Sequence, residues 1–191
     1  MRLRNSLALL VSLSASLALA QGSPETAAHL PSQAAADALR SAAGTDAAFI
    51  AAGLVKEGSK DDLATILQYP TDEVVVVSLT GAQVKQALER SLSFYPQPNG
   101  SFLQLSGFEV VFSKSAASNS RIVSITANGA RLDESKTYTV AMPANLGRGG
   151  LGYFRIWDKS KITKTLTGAT LESVLKGKKY VETSPRWVAQ P

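Results

Sequence analysis

The stretch "EVVVVSL", Glu73 to Leu79, sets four consecutive valines and a leucine in line with no polar alternation. A strand with one face in water alternates apolar and polar side chains, so this run predicts a strand covered on both faces, inside a sheet. The next four residues, Thr80 to Gln83, have the spacing of a capping box. Val84, Ala87, Leu88, Ser91 and Leu92 then fall on one face of a helix. The chain must therefore carry a helix off the end of a buried strand and lay it back on the sheet.

The flanking segments fit that plan. "SQAAADALRSAAG" predicts an amphipathic helix capped by Ser32 and closed by Gly44. "DAAFIAAGLVKEG" predicts a buried strand and turn, and "SKDDLATILQYP" a short helix with Ser59 and Asp62 in capping-box spacing, stopped by Pro70. "SFLQLSG", "FEVVFSK" and "RIVSITA" read as strands, the last entering an Asn128-Gly129 hairpin turn. "TYTVAMP" is a further strand, and "TGATLESVLKG" a final helix capped by Thr167 with Gly177 beyond its end. Interleaved strands and helices with a hairpin predict an α+β fold, a mixed β-sheet flanked by helices.

Residues 1–20 are expected to lie outside that fold. Arg2 and Arg4 precede a 14-residue apolar run softened by serines, and Ala18-Leu19-Ala20 makes a small-x-small cleavage site before Gln21. The run falls short of the roughly 20 residues a bilayer span needs, so the expectation is a signal peptide, with export to the periplasm, cell envelope or medium and no stable membrane anchor after cleavage. Residues 21–31, "QGSPETAAHLP", read as a flexible, exposed lead-in, and 32–191 as one domain. Without Arg2 and Arg4 the 20 basic residues fall to 18 against 15 acids. A net charge of +3 with no arginine stripe predicts no nucleic-acid partner.

The composition also limits chemistry. One histidine, His29, and no cysteine remove Ser-His-Asp and Cys-His catalysis and the usual His-rich or thiolate metal centres. No cofactor, metal ligand or catalytic residue is expected within this chain. The pairs Asp61-Asp62 and Asp72-Glu73 are better explained by helix starts than by acid–base work. The segment that invites a ligand is "ANLGRGGLGYFRIW", Ala144 to Trp157, where Gly147, Gly149 and Gly150 let backbone approach an anion and Arg148 adds charge. No Walker or dinucleotide fingerprint accompanies it. The alternative is a tight turn after a strand, with Tyr153, Phe154 and Trp157 packing inward.

Taken in order, "VVVVSLTGAQVKQALERSL", "FLQLSGFEVVF", "VSITANGARLDESKTYTVAMPANL" and "GGLGYF" resemble the C-terminal domain of the 5′-nucleotidase family, the UDP-sugar hydrolase and ecto-5′-nucleotidase group. The resemblance runs from about Gln33 to the end. It implies metal-dependent hydrolysis of nucleotide phosphoesters whose metals sit in a separate calcineurin-like domain. The C-terminal domain then supplies an aromatic pair for the base, an acid for the ribose and arginines for phosphate. Here Leu151 stands at the acid, Asn145 at one aromatic, and the other falls near Leu105, beside Gln104. Ala51 and Lys56 stand where the family has Asn and Arg, and "QYPTD" replaces Pro-Phe-Gly-Asn. Lysine keeps the charge but lacks the bidentate fork.

The expected substrate-binding residues are thus Lys56, Gln104, Asn145, Arg148, Gly149, Gly150, Tyr153 and Phe154. The expected role is an exported, stand-alone binding or interaction module that is not an enzyme alone. The alternative is the substrate-binding half of a nucleotide hydrolase, partnered by a separate metallophosphoesterase domain. A third reading is a nucleoside or sugar-nucleotide scavenging protein.

Overall fold

The computed structural model describes residues 23–191; the expected signal peptide lies outside the described residues. The valine run forms β2 (Glu73–Thr80), with Val74, Val75, Val76, Val77 and Leu79 all buried. It lies between β7 (Thr137–Pro143) and β8 (Ile162–Thr170), antiparallel to both. With β1 (Ala47–Ala51) and β3 (Leu103–Ser106) these strands make one sheet in the order β3-β1-β7-β2-β8, and the β1/β7 pair is parallel. A second sheet holds β4 (Phe108–Ser113), β5 (Ile122–Ala127), β6 (Ala130–Arg131) and β9 (Trp187–Gln190), ordered β6-β5-β4-β9. The fold is α+β, with two mixed sheets where the sequence reading foresees one.

The capping box forms as expected and starts α2 (Gly81–Ser91): the Gln83 N–H donates to Thr80 Oγ1 at 3.2 Å, and the Thr80 N–H to Gln83 Oε1 at 3.1 Å. The Gln83 side-chain amide also donates to the Ile156 carbonyl at 2.8 Å, tying the helix start to the end of the glycine loop. A run of aromatic contacts joins that loop to the second sheet. Tyr153 stacks on Trp157 at 4.6 Å, Trp157 on Phe49 at 6.5 Å, Phe49 meets Phe108 at 5.8 Å, and Phe108 meets Tyr138 at 5.6 Å. Among the described residues, no helix is long and apolar enough to cross a membrane.

Four local expectations need correction. The first helix, α1 (Leu30–Ala43), begins before Ser32 because Pro31 fits a helical first turn, where no N–H is needed. Ser32 is buried and its Oγ lies 2.7 Å from His29 Nδ1. Second, "SKDDLATILQYP" makes only a 3₁₀ turn, Leu63–Ile66, capped by Asp62, because Ile66 to Gln68 pair with Leu54 to Lys56 while Lys60 and Leu63 bond to Tyr180 and Lys178. Third, the final helix α4 (Leu171–Leu175) is capped by Thr170, since Thr167 lies within β8. Both β8 and β9 escape the sequence reading. β8 is a lysine- and threonine-bearing edge with little apolar patterning.

The fourth correction concerns the lead-in. Residues 24–29 are half-buried rather than exposed, because Gln104 holds them. Its amide nitrogen donates to the Pro24 and Ala27 carbonyls at 2.8 Å each, and its oxygen accepts the His29 N–H at 2.9 Å. Gln104 has no exposed surface, so a substitution that keeps its size and removes its polarity leaves these groups unsatisfied. Gln104→Leu is expected to lower unfolding stability in urea by about 1–3 kcal/mol and to bring early proteolytic cuts at residues 24–29.

Candidate functional site

β7 delivers its last residue, Pro143, into the short helix α3 (Ala144–Gly147) and then the glycine loop. The loop can lie this low on the sheet because Gly147 has no side chain: a Cβ there would collide with Val75 Cγ2. The Arg148 and Gly149 N–H groups donate to the Ala144 and Leu146 carbonyls, at 3.0 and 2.9 Å. Those two groups are spent on the turn and cannot serve an anion. Leu151 and Gly152 both take positive φ, 55° and 81°. At Gly152 the space is also closed, since a Cβ would meet the Arg90 guanidinium, which donates through Nη2 to the Leu151 carbonyl at 2.9 Å.

Two expected site residues are removed from any ligand face by their packing. Tyr153 has no exposed surface. Its hydroxyl donates to the Ser101 carbonyl at 2.6 Å and lies 3.2 Å from Ser91 Oγ. Burial raises the phenol well above its ordinary pKa, against smaller opposing effects of Ser91 and Arg90, so it is a neutral anchor. Gln104 is occupied as described above. Leu105, near the expected second stacking position, is likewise fully buried and cannot stack on a ligand. Gly149 is buried and Gly150 packs against Asn145; both shape the turn.

Lys56, Asn145, Arg148 and Phe154 remain exposed. Asn145 and Arg148 lie beside the mouth of β2. Asp72 accepts the Asn145 N–H at 3.0 Å through Oδ2 and the Glu73 N–H at 3.0 Å through Oδ1. Arg148 reaches Glu73 at 3.6 Å, with both side chains more than half exposed, a pair worth little to stability. Lys56 lies on the far side of the Pro70–Asp72 turn, which it approaches at Pro70. It lines a groove of about 230 Å³ with Asp62, Thr65, Pro70, Glu172 and Lys176. Phe154, expected to pack inward, is 62% exposed and carries Arg155 over its ring. It packs against Gly149 and takes no part in the Asp72 contacts or in the Lys56 groove.

Asp72 and Glu73 belong to this face, Tyr69 stands in the turn that leads to them, and all three are absent from the expected set. Tyr69 is 56% exposed in the turn that Asp72 closes, with the Asp72 N–H donating to the Tyr69 carbonyl at 3.2 Å. The available signal was an aromatic immediately before the proline that leads into a buried strand. α4 docks on the same turn, as the Leu171 and Glu172 N–H groups donate to the Asp72 and Pro70 carbonyls at 2.8 Å each.

The family profile for the 5′-nucleotidase, C-terminal domain, matches residues 25–159. The chain belongs to the 5′-nucleotidase C-terminal domain family. The match begins within the segment that Gln104 holds and ends after the glycine loop, so β8, α4 and β9 follow it. Among curated relatives of this nucleotidase domain, a 5′-nucleotidase-related protein of Glossina morsitans morsitans is 37% identical over 107 residues, 51% of this chain and 19% of its own length. The snake venom 5′-nucleotidase of Macrovipera lebetinus is 35% identical over 86 residues, 41% of this chain and 21% of its own. The chain thus spans about a fifth of these relatives. The 5′-nucleotidase precursor from Thermus thermophilus superposes with a TM-score of 0.72 at 23% identity, covering 87% of this chain and 37% of that one. The Haemophilus influenzae NAD nucleotidase gives 0.64 at 17% identity, covering 85% and 33%. At these identities the solved structures show the fold alone.

The buried tyrosine offers a direct check on the loop's anchoring. Tyr153→Phe leaves the Ser101 carbonyl without its donor and is expected to cost about 1–3 kcal/mol in urea unfolding. Arg148→Ala, at an exposed pair, should change stability by less than about 1 kcal/mol.

Proposed function

We propose that this nucleotidase domain is a substrate-binding module whose ligand face is formed by Lys56, Tyr69, Asn145 and Arg148, and that it does not hydrolyse phosphoesters by itself. The observation that carries the reading is the meeting of the glycine loop and the Tyr69–Asp72 turn at the mouth of β2, clamped by Asp72. Lys56 and Arg148 give that face positive charge for a phosphate, and Tyr69 gives it an aromatic surface for a base. Leu151 supplies no carboxylate for a ribose and packs partly against the core, so affinity is expected to be weaker than in relatives that keep the acid.

Hydrolysis is assigned to a metallophosphoesterase domain supplied separately. The sequence has one histidine and no cysteine. Among the described residues, no group of three or more His, Cys, Asp or Glu is placed to hold a metal. Export of the domain rests on the leader-like residues 1–20 and is supported by the occurrence of relatives in snake venom. The mature protein recovered from the producing cells is expected to begin at Gln21, as read by N-terminal sequencing, and an intact Met1 terminus would overturn export by this leader.

A ligand at ten times its Kd stabilises the folded state by about 1.4 kcal/mol, which raises the melting midpoint of a domain this size by about 3–6 °C. A panel of nucleosides, nucleotides and UDP-sugars is expected to include one that produces such a shift, with Arg148→Ala abolishing it. A flat panel at millimolar concentration would sink the binding assignment. Metal-dependent phosphate release by the purified chain alone would sink the non-hydrolytic one.

A further inference from the structure

A second groove, about 510 Å³ in volume, runs along the outer face of α2 and shares no lining residue with the Lys56 groove or with Asn145 and Arg148. One wall is the α2 stripe from Ala82 to Arg90, continued by Ser93; the other is the turn from Gly152 to Ile156. Its volume lies within the range of small-molecule sites. Ala82 and Ile156 supply apolar lining between polar side chains.

The charges in this groove do not cancel. Lys85 and Glu134 neutralise each other at 2.7 Å. The Glu89 carboxylate is engaged by two backbone donors, the Arg121 N–H at 3.1 Å and the Ile122 N–H at 2.9 Å. Arg90 and Arg155 face the same space, and among the described residues neither forms an ion pair. Arg90 is held in advance of any ligand. Its Nη2 donates to the Leu151 carbonyl, and its guanidinium lies 5.3 Å from the Tyr153 ring centroid. A guanidinium fixed in this way loses little entropy on accepting an oxyanion. Three residues on, just past α2, buried Ser93 Oγ has no hydrogen-bond partner among the described residues, and neither has buried Arg90 Nε.

From this we infer that the α2 groove is a binding site for a small organic anion, its carboxylate or phosphate held by Arg90 and Arg155 and its body lying over Ala82 and Ile156. The site is independent of the ligand face proposed above.

The test is amide chemical-shift titration of the purified, isotope-labelled protein with sodium phosphate and with citrate, at constant ionic strength set by chloride. Saturable shifts at Gly152, Arg155 and Asn119 are expected. Arg155→Ala, at an exposed position, should weaken binding about tenfold through loss of one charge-assisted contact. Saturation by phosphate alone assigns a phosphate ester, and by citrate alone a carboxylate; saturation by both assigns a site for either headgroup. Shifts confined to Asn145–Arg148, an unaltered titration in Arg155→Ala, or no saturable change with either probe would overturn the proposal.

Discussion

Everything at the proposed ligand face depends on how closely the chain can lie on β2. The strand is buried over almost its whole length and paired on both sides, so anything at its mouth must rest on the γ-methyls of Val75 and Val77. The chain satisfies that limit with Gly147, and α3 settles against the strand. Once it has done so, Asp72 can bridge the Asn145 and Glu73 N–H groups, and Trp157 can donate to the Leu146 carbonyl from inside the core. The exposed Asn145 and Arg148 are placed by these buried contacts.

How legible this was from the residues depends on whether local and tertiary signals agreed. The valine run, the Thr80–Gln83 box and the Asn128-Gly129 turn carry their structure in a few neighbouring side chains, and all three appear as read. The segment after Ser59 carried helix-start signals, but the pairing of Lys56 with Ile66 and of Gln68 with Leu54 drew it into a single 3₁₀ turn. β8 is polar and edge-placed, so it gave little hydrophobic period to read. Gln104 and Tyr153 look like ligand-contacting residues by type. Only tertiary burial shows that their polar atoms are spent inside the protein.

The same loop serves two surfaces because its backbone reverses at Leu151 and Gly152. Residues before the reversal lie with Asp72 and the mouth of β2; those after it line the α2 groove with Arg90. The Leu151 carbonyl, the Arg90 guanidinium and the Tyr153 ring form the partition between them. The persistence of the glycines in this chain therefore has a mechanical cause whether or not a nucleotide contacts them. They let one short segment be pressed against a strand on one side and a helix on the other.

β3 is gripped from both directions along the chain. Gln104 holds residues 24–29 beside it, while from the other end Trp187 donates to the Leu103 carbonyl and Arg186 to the Leu105 carbonyl. Arg186 also pairs with Asp37 of α1. Tension applied to either flank is thus transmitted first to this edge of the five-stranded sheet, through hydrogen bonds and an ion pair. The glycine loop shares in that load, because the Tyr153 hydroxyl donates to the Ser101 carbonyl two residues before β3 and lies beside Ser91 Oγ, which accepts the Leu103 N–H.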